Sequence, residues 1–134
     1  MDEIIQAIKA INSFKEVSII SFAPADKWSD QIAKKLGDKM KTTQLRKFFT
    51  SIKLMEQKIK GKDKNDTFND PSLYMLLPYL AYAKARKLII PDFYNLVKEI
   101  IGDGQNGKIK KVEDFQRFVE FMTAIVAYHK QYSK

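Results

Sequence analysis

The chain reads as an all-α protein, a single compact bundle of about five to six helices forming one domain over residues 1–134. Apolar residues recur at three- and four-residue spacings along most of its length. The one β-branched run, Val17-Ser18-Ile19-Ile20, has no second strand-like run to pair with. Pro24, Pro71 and Pro91 fall where helices would start, and Gly37 and Gly102 where they would stop.

Each element follows from local pattern. Ile4, Ile8 and Ile11 fit one stripe of a first helix. Residues 15–22 read as helix or buried turn. Pro24 suits the first turn of a helix running to about Leu36, with Gly37 as its C-terminal cap. Thr42 or Thr43 is placed to cap the next helix, whose Leu45, Phe48, Phe49, Ile52, Met55 and Ile59 share a face. A polar loop covers residues 61–66. Asp70-Pro71 then opens a helix that Pro78 should bend, because proline lacks an N–H and crowds the carbonyl of Tyr74. Pro91-Asp92 begins a short amphipathic helix (Phe93, Leu96, Val97, Ile100, Ile101) that Gly102 ends. The final helix carries Phe115, Phe118, Met122, Ile125 and His129 on one seam.

Composition removes several chemistries. With no cysteine and a single histidine, thiol catalysis, disulfides, zinc knuckles, iron–sulfur ligation and a histidine-rich metal site are all excluded. No cofactor or metal is expected. Met1 is followed by Asp2 and Glu3, unlike a secretory signal. The longest apolar run, residues 73–83, is interrupted by Pro78 and is far short of the roughly 20 residues that span a bilayer. A cytoplasmic location without membrane contact is the default.

Charge is the most informative property. Residues 34–64 hold eleven Lys/Arg against three acids, an excess equal to the +8 of the whole chain. A single-sign patch on an otherwise balanced domain points to a polyanion, most often nucleic acid. At 100° per residue, Arg46, Lys53 and Lys60 lie within about 40° of one another, with Thr50 and Gln57 in the same sector. Steps of about 10.5 Å along the axis would let such a ridge touch phosphates at intervals without reading bases. The bland alternative is a solvated lysine face. Lys84, Arg86 and Lys87 form a second basic cluster. Nearby Tyr79 and Tyr82 could stack on unpaired bases, but core packing with the hydroxyl at the rim is the more ordinary role.

His129 is the obvious candidate general base, yet no activated nucleophile or second histidine accompanies it. A packed histidine bonded to backbone is the better reading. The loop at residues 102–109 resembles an EF-hand when aligned on Gly107 and Glu113, but Gly102 and Gly104 occupy the first and third ligand positions. Gly104 to Gly107 also spells the GxxG of KH domains, whose strands are absent from the pattern. Neither reading stands. P-loop, nucleophile elbow and dinucleotide fingerprint are likewise missing.

Three segments, taken in order, carry a family resemblance. Lys41-Thr42-Thr43-Gln44-Leu45-Arg46-Lys47-Phe48 resembles the T-x-Q-[I/L]-R-K signature of the small subunit of type III-A CRISPR–Cas interference complexes, the Csm complex. The stretch from Leu77 to Arg86 is similar to that family's L-x-P-x-L-A-Y-x-x-x-R segment, and Ala124-Ile125-Val126-Ala127-Tyr128-His129-Lys130 resembles its A-[I/L]-V-A-Y-H-K motif. The resemblance spans about residues 39–132, with residues 1–38 outside the recognised motifs. It implies an all-α subunit without catalytic activity, copies of which line a filament of backbone subunits and contact the guide–target duplex. It also implies that RNA and DNA cleavage belong to other subunits. By match to the motifs, Gln44, Arg46, Lys47, Arg86 and Lys130 are the positions carried over.

The expected function is therefore non-catalytic RNA binding within a type III-A effector, along the guide–target backbone and without sequence specificity. The candidate RNA-binding residues are Lys41, Gln44, Arg46, Lys47, Lys53, Lys60, Lys84, Arg86, Lys87 and Lys130. Expected partners are target RNA, guide RNA, the backbone and large subunits, and further copies of the chain, with a homodimer permitted in isolation. A structural adaptor whose basic ridge meets an acidic neighbour is the alternative. A small nuclease using His129 is the third.

Overall fold

The last helix is apolar on more than one side, and much of the first half of the chain packs on it. The computed structural model describes residues 1–133. In chain order its helices are α1 (Asp2–Lys9), α2 (Ile19–Phe22), α3 (Trp28–Leu36), α4 (Thr42–Lys58), α5 (Ser72–Ala85), α6 (Pro91–Ile101) and α7 (Val112–Tyr132). Short 3₁₀ turns lie at Phe14–Glu16 and Gly37–Lys39. Among the described residues the one β pairing is an isolated antiparallel bridge between Thr67 and Lys111. The all-α expectation is met. The helices number seven, and not five or six, because α2 is a single turn too short to show a period; Ser18 caps it by accepting from the Ile20 N–H at 3.2 Å.

α3 and α4 pack on α7, while α5 and α1 pack on α6. The expected seam of α7 is buried throughout, and Val119 and Phe121 are buried as well. The buried surface of α7 receives one phenylalanine from each of three short segments. Phe14 of the first 3₁₀ turn meets Phe118 edge-on at 6.0 Å, Phe22 of α2 meets Phe121 at 5.4 Å, and Phe68 of the α4–α5 loop stacks on Phe115 at 4.4 Å. Each fully buried ring contributes about 1.5–3 kcal/mol by removal from water. These anchors hold segments that have no regular backbone ladder of their own.

The start of α7 ties those segments together by backbone. Asp114 is fully buried, and its carboxylate accepts from the N–H groups of Lys15 (2.8 Å), Lys110 (3.1 Å) and Lys111 (2.9 Å). Two of these satisfy donors at the N-terminal turn of α7, where a negative charge is favoured. The third fastens the first 3₁₀ turn. Phe14 N–H donates to the Lys108 carbonyl at 2.8 Å and Phe68 N–H to the Lys110 carbonyl at 2.9 Å. The Lys108 ammonium reaches the Ile11 carbonyl at 2.6 Å, ending the helix that the apolar stripe extends to Ile11 but the backbone stops at Lys9. Next to Asp114, Glu113 pairs with Lys15 at 2.8 Å, and this ammonium holds the Glu113 carboxyl below the ordinary glutamate range.

Two local expectations change. α3 starts at Trp28, after the turn containing Pro24, because Asp26 takes a left-handed φ of 66° and donates its N–H to Asp30 at 2.8 Å. Neither Thr42 nor Thr43 caps α4. The N-cap is Lys41 without a side-chain cap bond, and the Thr42 hydroxyl lies 3.0 Å from that of Ser133. α5 runs from Ser72 to Ala85 through Pro78 without interruption, and Asp70 caps its start by accepting from the Ser72 N–H at 2.9 Å.

The 102–107 loop is a tight backbone crossing. Gly102 has φ 68°, and a Cβ on Gly107 would sit 2.2 Å from the Ile101 carbonyl oxygen. Asp103 is spent inside the loop, accepting from the N–H groups of Gln105 and Asn106 at 3.0 and 3.2 Å. Those bonds hold its carboxyl below the usual aspartate range.

Two stability predictions arise. Asp114→Ala strands three backbone donors and should lower unfolding free energy by about 2–4 kcal/mol in urea titration. Gly107→Ala should cost more than Gly61→Ala. Gly61 has positive φ but open space around it, so its alanine incurs only about 1 kcal/mol of backbone strain.

Candidate nucleic-acid interface

Two of the motif segments converge in space. The first turns of α4 and the last turns of α7 form a groove of about 470 Å³ lined by Thr42, Leu45, Arg46, Val126, Ala127, His129, Lys130 and Ser133. Arg46 and Lys130 are both exposed on its walls. Lys41 is exposed at the N-cap of α4, and the first-turn N–H groups there have no side-chain cap. The groove thus combines two exposed cations with the positive end of a long helix, a setting that favours an anion.

The closing turn of α7 is held in place by three side-chain contacts. His129 is 1% exposed, and its Nε2 lies 2.9 Å from the Gly37 carbonyl. A carbonyl only accepts, so Nε2 carries the proton and donates. The histidine is a packed, backbone-bonded residue, as the sequence suggested over a general base. Tyr132 donates its hydroxyl to Asp30 Oδ1 at 2.5 Å, and the Thr42–Ser133 contact closes the end. One turn earlier, the Tyr128 hydroxyl donates to the Ala23 carbonyl at 2.6 Å. These bonds fix the direction in which Lys130 leaves the helix. Ser133, Tyr132 and Asp30 carried no sequence signal, because each partner lies on a distant segment.

The remaining candidates separate into groups. Gln44 is half-buried, and Lys47 is exposed on the same helix. The Arg46–Lys53–Lys60 ridge is broken: α4 ends at Lys58, so Lys60 lies in the turn beyond it and leaves the helical sector. Lys60 and Lys53 still share a shallow groove of about 410 Å³ with Gln57 and Gln116. Lys53 is neutralised locally by Glu56 at 2.6 Å. Lys84 is also engaged, its ammonium 4.3 Å from the centre of the Tyr94 ring. Arg86 is exposed and donates to the Tyr82 hydroxyl at 3.0 Å. Lys87 is exposed at the end of α5 with φ 62°. The two tyrosines expected in the core are largely outside it, Tyr79 being 39% and Tyr82 62% exposed. Leu73, Leu76, Leu80 and Ala83 supply the buried side of α5 instead.

The Tyr132–Asp30 bond sets a pH dependence. The hydroxyl, with the Asp26 N–H as the second cause, holds the Asp30 carboxyl below its ordinary 3.8. A depressed carboxyl stabilises the fold above its unfolded value and loses that contribution as pH falls through its folded value. The stability gap between the natural chain and Tyr132→Phe should therefore be full at pH 6–7 and shrink below about pH 4. Urea titrations of both proteins across that range test it.

Among the described residues no group of three or more His, Cys, Asp or Glu side chains is placed to hold a metal, and no helix is long and apolar enough to cross a membrane. No curated protein and no solved structure matches the chain. The family described as Csm2 Type III-A matches residues 20–134. The match starts well before the recognised motifs, so it takes in α3 and half of the N-terminal segment that those motifs left out. With nearly the whole chain covered, the protein belongs to the Csm2 family, the small subunit of the type III-A CRISPR effector complex.

Proposed function

We propose that the chain is a non-catalytic RNA-binding subunit that holds the guide–target backbone in the groove between α4 and α7. The observation that carries this reading is the meeting of Arg46 and Lys130, from two distant sequence motifs, beside the uncapped start of α4. A flexible lysine and a guanidinium at a helix N-terminus suit phosphate oxygens, and phosphate contacts position a strand without reading its sequence. Lys41, Gln44 and Lys47 extend the surface along α4. Lys53, Lys60 and Lys87 add longer-range field, and Lys84 acts through its neighbours more than by direct contact. Base pairing between guide and target would then supply specificity. The partners this requires are target RNA, guide RNA, the backbone and large subunits, and neighbouring copies of the chain in the inner filament of a cytoplasmic complex.

Charge reversal tests it. The double variant Arg46→Glu/Lys130→Glu should weaken RNA binding by the assembled complex at least tenfold near 0.1 M salt. Loss of two phosphate contacts should also flatten the plot of log affinity against log salt by about 1.4, from roughly 0.7 per contact on a single strand. Lys60→Glu should do less. Unchanged affinity in the double variant, with crosslinks from α4 running only to protein, would sink the reading in favour of an adaptor.

A further inference from the structure

The outer face of the α4–α5 pair carries an aromatic stripe that the core does not use. On α5, Met75, Tyr79, Tyr82 and Arg86 follow at i, i+4, i+7 and i+11, which places them on one side of the helix. Met75 is 66% exposed. On α4, Lys47, Ser51, Leu54 and Lys58 repeat the same spacing, with Leu54 56% exposed. Between the two rows runs a shallow groove of about 330 Å³, lined by Ser51, Leu54, Lys58, Met75 and Tyr79 among others and by no carboxylate. Lys58, at the end of α4, pairs with Asp70 just before α5, and the groove takes in the second half of α4 and the first half of α5. The two helices therefore run antiparallel, which puts Arg86 toward the Lys47 end.

Tyr82 is prepared as a flat surface. Its hydroxyl accepts from the Arg86 guanidinium, whose carbon lies 5.6 Å from the ring centre. What remains exposed is a π-face beside a cation. Lys58 does pair with Asp70 at 3.4 Å, but the Asp70 side chain is 14% exposed against 63% for the lysine, so the face presents positive charge.

We propose that this stripe binds unpaired nucleotides of an RNA strand, with Tyr82 and Tyr79 stacking on bases and Lys47, Lys58 and Arg86 meeting phosphates. Rings flanked by cations, with no acid in the groove, match the two needs of an unpaired strand: stacking surface and charge neutralisation. A protein partner would have to bring its own acidic groups to this cationic face, whereas an RNA strand supplies a phosphate with every base. The stripe lies outside the Arg46–Lys130 groove. It rests with that groove on the premise that the partner is RNA, and Lys47 borders both surfaces.

The test uses the full chain with two probes, a single-stranded RNA containing 2-aminopurine and a blunt RNA duplex of equal length. The natural chain should quench the single-strand probe. Tyr82→Ala should abolish most of that quenching and weaken single-strand binding about tenfold or more, with duplex affinity unchanged. Tyr82→Phe should retain both, since it keeps the ring. Both side chains are exposed, so circular dichroism should show all variants folded. If Tyr82→Ala and Tyr79→Ala leave quenching and single-strand affinity intact while Arg46→Glu weakens both probes, the stripe is not an RNA platform although the groove reading stands. Loss of the alanine variants from the assembled complex, with RNA binding unaltered, would overturn the proposal in favour of a protein interface.

Discussion

The buried carboxylate of Asp114 is the point on which the non-helical third of the molecule depends. Its three backbone bonds fix the first turn of α7, and the same short stretch of chain supplies the carbonyls that hold Phe14 and Phe68. Around it, the 3₁₀ turn at Phe14–Glu16, the α4–α5 loop and the α6–α7 loop are each short of regular hydrogen bonding. A charged acceptor is worth more than a neutral one in such a place, because several otherwise stranded N–H groups share it. The phenylalanines then act as a second, apolar attachment for the same segments. Polar and apolar fastening coincide at one end of α7.

At the opposite end of α7 the fastening serves a surface. His129, Tyr132 and Ser133 reach Gly37, Asp30 and Thr42, so that the last turn is gripped by α3, the second 3₁₀ turn and α4 together. The backbone that carries Lys130 is thereby held at the same groove as Arg46. The only histidine is thus consumed in architecture, and its motif neighbours reach the groove because it is buried. The charge excess of residues 34–64 is less uniform than its sequence suggests: Lys35 is paired to Asp92, Lys53 to Glu56 and Lys58 to Asp70. Exposed ion pairs of this kind add little stability, but they do reduce the charge offered to a partner.

The helices from α3 to α7 were legible because their apolar spacing and their Pro and Gly punctuation agree with one another. The stripe on α4 and the seam on α7 are buried as read, and Gly37 and Gly102 end their helices with positive φ. Helix ends are less legible. Periodicity puts Lys60 on a ridge that the helix does not reach, and residue type puts Thr42 at a cap that it does not make. One or two residues of helix length change the sector or the partner, and no local pattern fixes that length. The tyrosines of α5 were misjudged for a different reason. A helix apolar nearly all round gives no moment to say which side faces inward, so burial is set by α4 and α6 and not by its own sequence.

By itself the sequence determined the fold class, the family motifs and the concentration of positive charge, since each of these is a property of neighbouring residues or of composition. Tertiary structure alone decided which cations stand together, which are already paired, and which aromatic rings meet solvent. Those outcomes depend on contacts between segments far apart in the chain. The basic residues that sequence grouped by proximity are therefore regrouped by packing: Arg46 with Lys130 in one groove, Arg86 with Tyr82 on another face.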